Sequence, residues 1–192
     1  MPRSIDVEAR KQQVIEAAWR VITRDGMAAL SVRNVAREAG LAPSSLRYTF
    51  PSQASVREQS VRAVYISLRE RIATIPRSSP TWARDMLLEL LPLDAQRRIE
   101  MEVSLALGTA AVTDDGLRPL FTEVTEQVRQ VCAEACAAHS ATDPDQVREL
   151  HALIDGLSLH VIVEPEQDST WARTVLDRYL QRLATKPQHP TG

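Results

Sequence analysis

Aromatic residues make up only 4% of this chain and glycines number six, which disfavours a sheet protein built from aromatic and β-branched strands joined by tight glycine turns. Long apolar runs are missing as well: none approaches the roughly 20 residues that span a bilayer, and the opening MPRSIDVEAR lacks the apolar core of a signal peptide. A soluble, cytoplasmic protein with no membrane partner is the expectation. There are two cysteines, Cys132 and Cys136, four apart inside a helical pattern, so a disulfide framework is not indicated. No glycine loop of the kind that cradles phosphate and no metalloprotease His-Glu pattern occurs, and only four histidines are present, one of them His189 near the end of the chain. An enzyme is therefore not the reading, and no cofactor is implied.

What is present is helical periodicity. With 192 residues and 44% hydrophobic content the chain is long enough for one ample core or for a small domain fused to a larger one. Val14, Ala17, Ala18, Val21 and Ile22 recur at helical spacing between Asp6, a candidate N-cap, and the stop Asp25-Gly26. Ser31 opens a short helix that ends at Ala39-Gly40, where glycine can take a left-handed conformation, with Leu41 as the apolar contact of the turn. Pro43 suits the first position of a third helix, barely two turns long over Ser44 to Thr49, which Phe50 and Pro51 end. Ser52 then caps a fourth helix running to about Ile75. Beyond the linker-like Pro76-Arg-Ser-Ser-Pro80, proline or acidic starts predict helices over about 80–91, 94–112, 117–139, 144–163 and 169–185, with KPQHPTG as a disordered tail. The fold class is all-α.

Charge is uneven along this chain. Residues 1–50 hold eight basic against five acidic side chains, and the remainder fifteen against twenty, so a basic head sits on an acidic body. Within the head, LAPSSLRYTF combines hydroxyls and a tyrosine that can bond phosphate oxygens with an arginine that can bond guanine, and it has little apolar surface beyond Leu46 and Phe50. Two short helices joined by a glycine turn and packed on a longer one form a helix-turn-helix, whose second helix enters the major groove. The bland alternative is an ordinary helical hairpin in a bundle.

The stretch SVRNVAREAGLAPSSLRYTFPSQASV resembles the DNA-binding motif of the TetR family of bacterial transcriptional regulators, over about residues 10 to 60. LLPLDAQRRIEMEVSLALG is similar to the C-terminal type of the betaine-regulator branch, without naming an effector. The resemblance implies a helix-turn-helix DNA-binding domain over 1–51, a helical effector-binding and dimerisation domain over 52–186, and a tail over 187–192. Implied partners are double-stranded operator DNA, a second copy of the chain and a small-molecule effector. The implied role is a ligand-responsive regulator, a repressor, reading a palindromic operator as a homodimer. A helical small-molecule carrier or sensor that no longer reads DNA is the alternative from another class.

Carried over position by position, Arg33, Pro43, Ser44 and Arg47 fall where base edges are within reach, and Ser31, Ser45, Tyr48, Thr49 and Gln53 where the DNA backbone is. Three departures stand out. Ala42 replaces a common capping serine, at a cost of about 1 kcal/mol. Arg47 stands in place of a tyrosine and Gln53 in place of a lysine, shifting the balance from backbone contact toward base reading.

In the larger part, Val147, Leu150, Leu153, Ile154, Leu157 and Val161 form one apolar stripe, and Trp171, Val175, Leu176, Tyr179, Leu180 and Leu183 another. Such stripes pack on their own chain or on a partner. The resemblance places a four-helix dimer interface there, through Leu153, Ile154, Leu157, Val161, Leu176, Tyr179, Leu180 and Leu183. Trp82, Met86, Met101, Leu105 and Phe121 are bulky apolar residues of the middle helices, either plain core or the lining of an effector pocket. The polar face of His151, Asp155 and Ser158, spaced i, i+4, i+7, could aim hydrogen bonds into such a cavity, or His151 and Asp155 could pair on a helix surface. Cys132, Cys136 and His139 share one side of a helix in zinc-ligand chemistry, but no fourth ligand is evident and no metal is implied.

Overall fold

The computed structural model describes residues 3–47, 50–164 and 168–185, with side chains from residue 8 onward. Among these the chain is all-α and has no strand. The helices are α1 (Arg3–Asp25), α2 (Val32–Ala39), α3 (Pro43–Leu46), α4 (Gln53–Ala73), α5 (Trp82–Leu88), α6 (Ala95–Ala111), α7 (Arg118–Ala138), α8 (Pro144–Val163) and α9 (Thr170–Thr185), with a 3₁₀ turn at Met27–Ala29. They form two compact units. The first is drawn from residues up to Ser67 and from Glu102–Thr122, the second from Leu68–Met101 and from Glu123 onward.

Helix ends largely fall where side chains can satisfy them. The Ser31 hydroxyl accepts from the Asn34 amide at 3.2 Å, and Asp143 accepts from Asp145 ahead of Pro144. Ser52 and Ser55 cap α4 reciprocally, each hydroxyl accepting from the other's backbone N–H at 3.0 and 3.1 Å. Two expectations are corrected. Helix α1 starts at Arg3, ahead of Asp6, which therefore is not its N-cap. Helix α5 covers only Trp82–Leu88, and residues 89–91 continue in tighter i to i+3 bonds because Pro92 disfavours helical backbone in the residue before it. The segment expected as a disordered tail lies outside the described residues.

In the first unit Val14, Ala17, Ala18, Val21 and Ile22 on α1 are all buried together with Leu30, Val35, Leu46, Phe50 and Val56. Polar bonds fix the angles between these helices: the Trp19 indole N–H donates to the Ser60 carbonyl at 2.8 Å, and Gln13 donates to the Ala39 carbonyl at 3.0 Å. Arg20 and Arg24 both reach Glu38 on α2. The hydrogen bond from Arg24, then that from Arg20, holds the Glu38 carboxyl below the usual carboxylate range.

The second unit buries Met86, Leu87, Leu91, Leu150, Ile154 and Leu176. Its main polar joint is also buried: Glu100 is 4% exposed and receives two bonds from the Arg71 guanidinium, at 3.0 and 2.8 Å, while Arg71 Nε donates to Glu89 at 2.8 Å. Arg84 on α5 bridges to Asp177 on α9.

Candidate nucleic-acid interface

The turn between α2 and α3 is built on Gly40, which takes φ 67°, a left-handed conformation in which a side chain would be strained. The Leu41 N–H returns to the Ala36 carbonyl at 2.9 Å, closing a Schellman-type cap that satisfies the helix end and turns the chain toward α3. Helix α3 begins at Pro43 with Ala42 as its N-cap, and no side-chain cap bond is formed. Its described length is one turn, so propensity cannot hold it. Leu46 at 2% and Phe50 at 1% exposure do, since each buried side chain of this size contributes about 1.5–3 kcal/mol against the roughly 1 kcal/mol of the lost cap.

The same anchoring sets which side chains face out. Arg33, Pro43, Ser44, Ser45, Arg47 and Gln53 are exposed, and Ser31 is half-buried with its hydroxyl oxygen already capping α2. Tyr48 and Thr49 lie outside the described residues. Gln53 differs from a simple backbone contact: its amide donates to the Leu30 carbonyl at 2.7 Å, bracing the start of α4 against the loop before α2. The Asn34 amide braces the same loop through the Ala29 carbonyl at 2.8 Å. Neither brace was visible in the sequence, because each joins a side chain to a backbone carbonyl and so leaves no residue-type signature.

The other candidate residues fall out differently. Trp82 and Met86 line a cleft of about 450 Å³ in the second unit, with Ile72, Ile75, Arg77 and Val131, and Trp82, Arg77, His139 and Asp177 also line a neighbouring cleft of about 570 Å³. Met101, His151 and Asp155 line neither. Leu105 and Phe121 belong to the first unit, where the Phe121 ring lies over Gly108. His151 and Asp155 pair at 3.6 Å on α8, joining an imidazole that is 12% exposed to a carboxylate that is 70% exposed.

The stripe assigned to a dimer interface is already covered by its own chain. Ile154, Leu157, Val161, Leu176, Leu180 and Leu183 are buried, while Leu153 and Tyr179 are half-buried. These side chains therefore build the fold of the second unit. The apolar positions α8 leaves exposed are Ala152, Leu159 and Val163, with Gly156 between them.

Cys132 and Cys136 are fully buried, and burial pushes their thiols up to about 12 and about 11. Among the described residues no three His, Cys, Asp or Glu side chains are grouped to hold a metal ion, and no helix is long and apolar enough to cross a membrane.

A one-turn helix held outward by two buried anchors, behind a glycine turn and a capped helix, defines a helix-turn-helix DNA-binding module carried on a larger helical unit. Residues 14–59 match the family model described as bacterial regulatory proteins, tetR family, and residues 80–185 match that of the C-terminal part of BetI-type transcriptional repressors. This chain belongs to the TetR family of bacterial transcriptional regulators. It is 31% identical over 176 residues to the HTH-type transcriptional regulator PksA of Bacillus subtilis, covering 86% of this chain and 84% of that protein. Among solved structures it is similar to a TetR-family member from Streptomyces coelicolor A3, at 30% identity and TM-score 0.69 over 88% of this chain and 97% of the other. It is also similar to the multidrug binding protein EbrR complexed with imidazole, at 31% identity and TM-score 0.63 over 100% and 96% of the two chains. These relatives are regulators and binding proteins rather than enzymes.

Proposed function

We propose that this ligand-responsive regulator is a repressor that binds a palindromic operator as a homodimer and leaves it when a small-molecule effector occupies the larger domain. Residues 1–51 read the DNA, and residues 52–186 bind effector and dimerise. The observation that carries this reading is the outward face of α3: Pro43, Ser44, Ser45 and Arg47 are exposed around an anchored Leu46, so the residue types suited to DNA are those the packing leaves outside. Arg47 and Arg33 contact base edges, Arg47 pairing with guanine, while Ser31, Ser45, Tyr48 and Thr49 contact the backbone, and Gln53 braces the start of α4 through the Leu30 carbonyl.

Two copies must meet so that their recognition helices lie about 34–36 Å apart or a multiple of it. Helices α8 and α9 supply that contact through the face their own chain leaves uncovered, Ala152, Leu159 and Val163 with the small Gly156 between them. The effector enters beside Trp82 and Met86, where an apolar cleft meets a few polar side chains. EbrR's description as a multidrug binding protein supports a small-molecule effector for this relative at 31% identity. Occupancy biases two arrangements of the domain, one with heads spaced for the half-sites and one without, through α4 as the link. The regulator acts in the cytoplasm on this reading, because its operator DNA is there.

The test is selection of bound fragments from random duplex DNA by the purified protein at 150 mM salt. A palindromic consensus that is lost with Arg47→Ala supports the reading. Binding with no consensus would leave a helical carrier or sensor as the better account.

A further inference from the structure

The chain holds four histidines, and two of them stand on α8 with a carboxylate four residues further on. His151 Nε2 lies 3.6 Å from Asp155 Oδ2, and His160 Nδ1 lies 3.4 Å from Glu164 Oε1. The two pairs flank the apolar strip that α8 leaves uncovered. Ala152, Gly156, Leu159 and Val163 recur at helical spacing, and at about 3.6 residues per turn Asp155 falls on one side of that row and His160 on the other. Asp155 and His160 are exposed, and the His160 and Trp171 rings meet in a T with centroids 6.5 Å apart, so α9 borders the strip on that side.

The other charges near these pairs stay fixed between about pH 6 and pH 8. From α7, Cys132 faces Asp155, and burial pushes its thiol up to about 12, so it is neutral there. Desolvation raises the Asp155 carboxyl, with the His151 charge acting against it. From α6, Arg98 donates to the Val161 and Ile162 carbonyls at 3.2 and 3.3 Å and holds a permanent cation at the end of α8. From α9, Tyr179 reaches the Gln146 carbonyl and Glu149, which places the exposed Arg178 and Arg182 near the start of α8, away from His160; burial pushes the Tyr179 hydroxyl up to about 12. Asp145 and Arg148 pair with each other at that same end. What changes charge in this range is a histidine beside a carboxylate.

With neutral imidazoles, each pair leaves a bare carboxylate at an edge of the strip, and a face shared by two copies about a two-fold axis gathers four of them. Like charges brought together and drawn out of water oppose association. With protonated imidazoles each pair is neutral and the opposition ends. Association therefore raises the proton affinity of the histidines: its contribution is complete while they are protonated and is lost as pH rises through their titration. We infer that the uncovered face of α8 is a proton-dependent contact between two copies, gated by His151–Asp155 and His160–Glu164, so that acidification tightens the dimer. A tighter dimer holds more operator at a given concentration. This rests on the reading of α8 as a dimer contact and names the regulation of that contact.

Sedimentation of the full chain at fixed ionic strength gives the dimer dissociation constant at pH 6, 7 and 8, with a fixed, sub-denaturing urea concentration bringing a tight dimer into range. The wild type should dimerise about tenfold more tightly at pH 6 than at pH 8, the combined effect of four weak helix pairs. Asp155→Asn with Glu164→Gln should be tight and flat across this range. His151→Gln with His160→Gln should be flat too, and as weak as the wild type at pH 8. All four side chains are exposed or half-buried, and thermal melting checks that the variants are folded. A wild-type constant that is unchanged or weaker at pH 6, or a pH dependence that survives in both double variants, overturns the proposal. Leu159→Arg separates the ways of failing. If it abolishes a dimer that is flat with pH, the α8 contact stands and only its proton dependence is lost; a dimer that survives Leu159→Arg, or a chain that is monomeric throughout, removes the contact and the proposal together.

Discussion

Replacing Arg71 by alanine should be among the more damaging single changes available on α4, for a reason that lies in its partner. The Glu100 side chain is 5% exposed, and the Arg71 guanidinium meets both of its oxygens, at 3.0 and 2.8 Å. Removing one member of a buried pair leaves the other charge desolvated, at a cost of about 3–5 kcal/mol. Arg71 is 28% exposed, so water already reaches the pair and part of that cost is relieved; Gln96 also keeps its 3.1 Å bond to Glu100. About 2–3 kcal/mol is the resulting expectation. With a urea slope of about 2–3 kcal/mol/M for a chain of this size, the unfolding midpoint followed by far-ultraviolet circular dichroism should fall by about 1 M. Protein concentration must be fixed across variants, because association adds to apparent stability. Adding Glu100→Gln to Arg71→Ala should restore part of the loss, since an amide is cheaper to leave without a guanidinium than a carboxylate. A midpoint for Arg71→Ala within about 0.2 M of the wild type, or a double variant worse than the sum of the singles, would refute the reasoning.

Three further outcomes follow from the same structure. Ala42→Ser should raise stability by up to about 1 kcal/mol, measured by thermal melting, because α3 then gains the side-chain cap it lacks. Gln53→Lys exchanges the brace on the Leu30 carbonyl for a phosphate-seeking charge, and should steepen the slope of log affinity for duplex DNA against log salt by about 0.9. Cys132 and Cys136 should resist a thiol-specific disulfide reagent at pH 8 in the folded protein and react promptly in denaturant, because their thiols, pushed up to about 12 and about 11 by burial, hold little thiolate.

Much of the architecture and family was legible in the residues, because the signals involved are local. The 3.6-residue spacing of Val14, Ala17, Ala18, Val21 and Ile22 names the buried face of α1 wherever the helix ends up. Gly40 is readable for a similar reason: only a residue without a Cβ takes φ 67° without strain, so a glycine after a short periodic run marks the turn. Pro43 and the absence of a cap at Ala42 are read the same way, from what one residue can or cannot do with its own backbone. The linear order of these signals was enough to identify a helix-turn-helix.

Tertiary structure decided what each exposed-looking or apolar stripe does once helices meet. The stripes of α8 and α9 fit either their own chain or a partner, with the resemblance pointing to the partner, and packing within the second unit takes Ile154, Leu157, Leu176 and Leu180, leaving Ala152, Leu159 and Val163 outside. Periodicity tells that a face is buried and is silent on what buries it. Gln53 turned from a phosphate-facing position into a brace because the Leu30 carbonyl, 23 residues earlier, lies within 2.7 Å. Trp82 is legible in the sequence as a bulky apolar residue, whereas nothing there shows that Arg77 lies over its ring and reaches Glu134, because folding alone brings the three together. Local conformational chemistry is encoded residue by residue, whereas side chains far apart in the chain acquire a shared role only through the packing that places them in reach of one another.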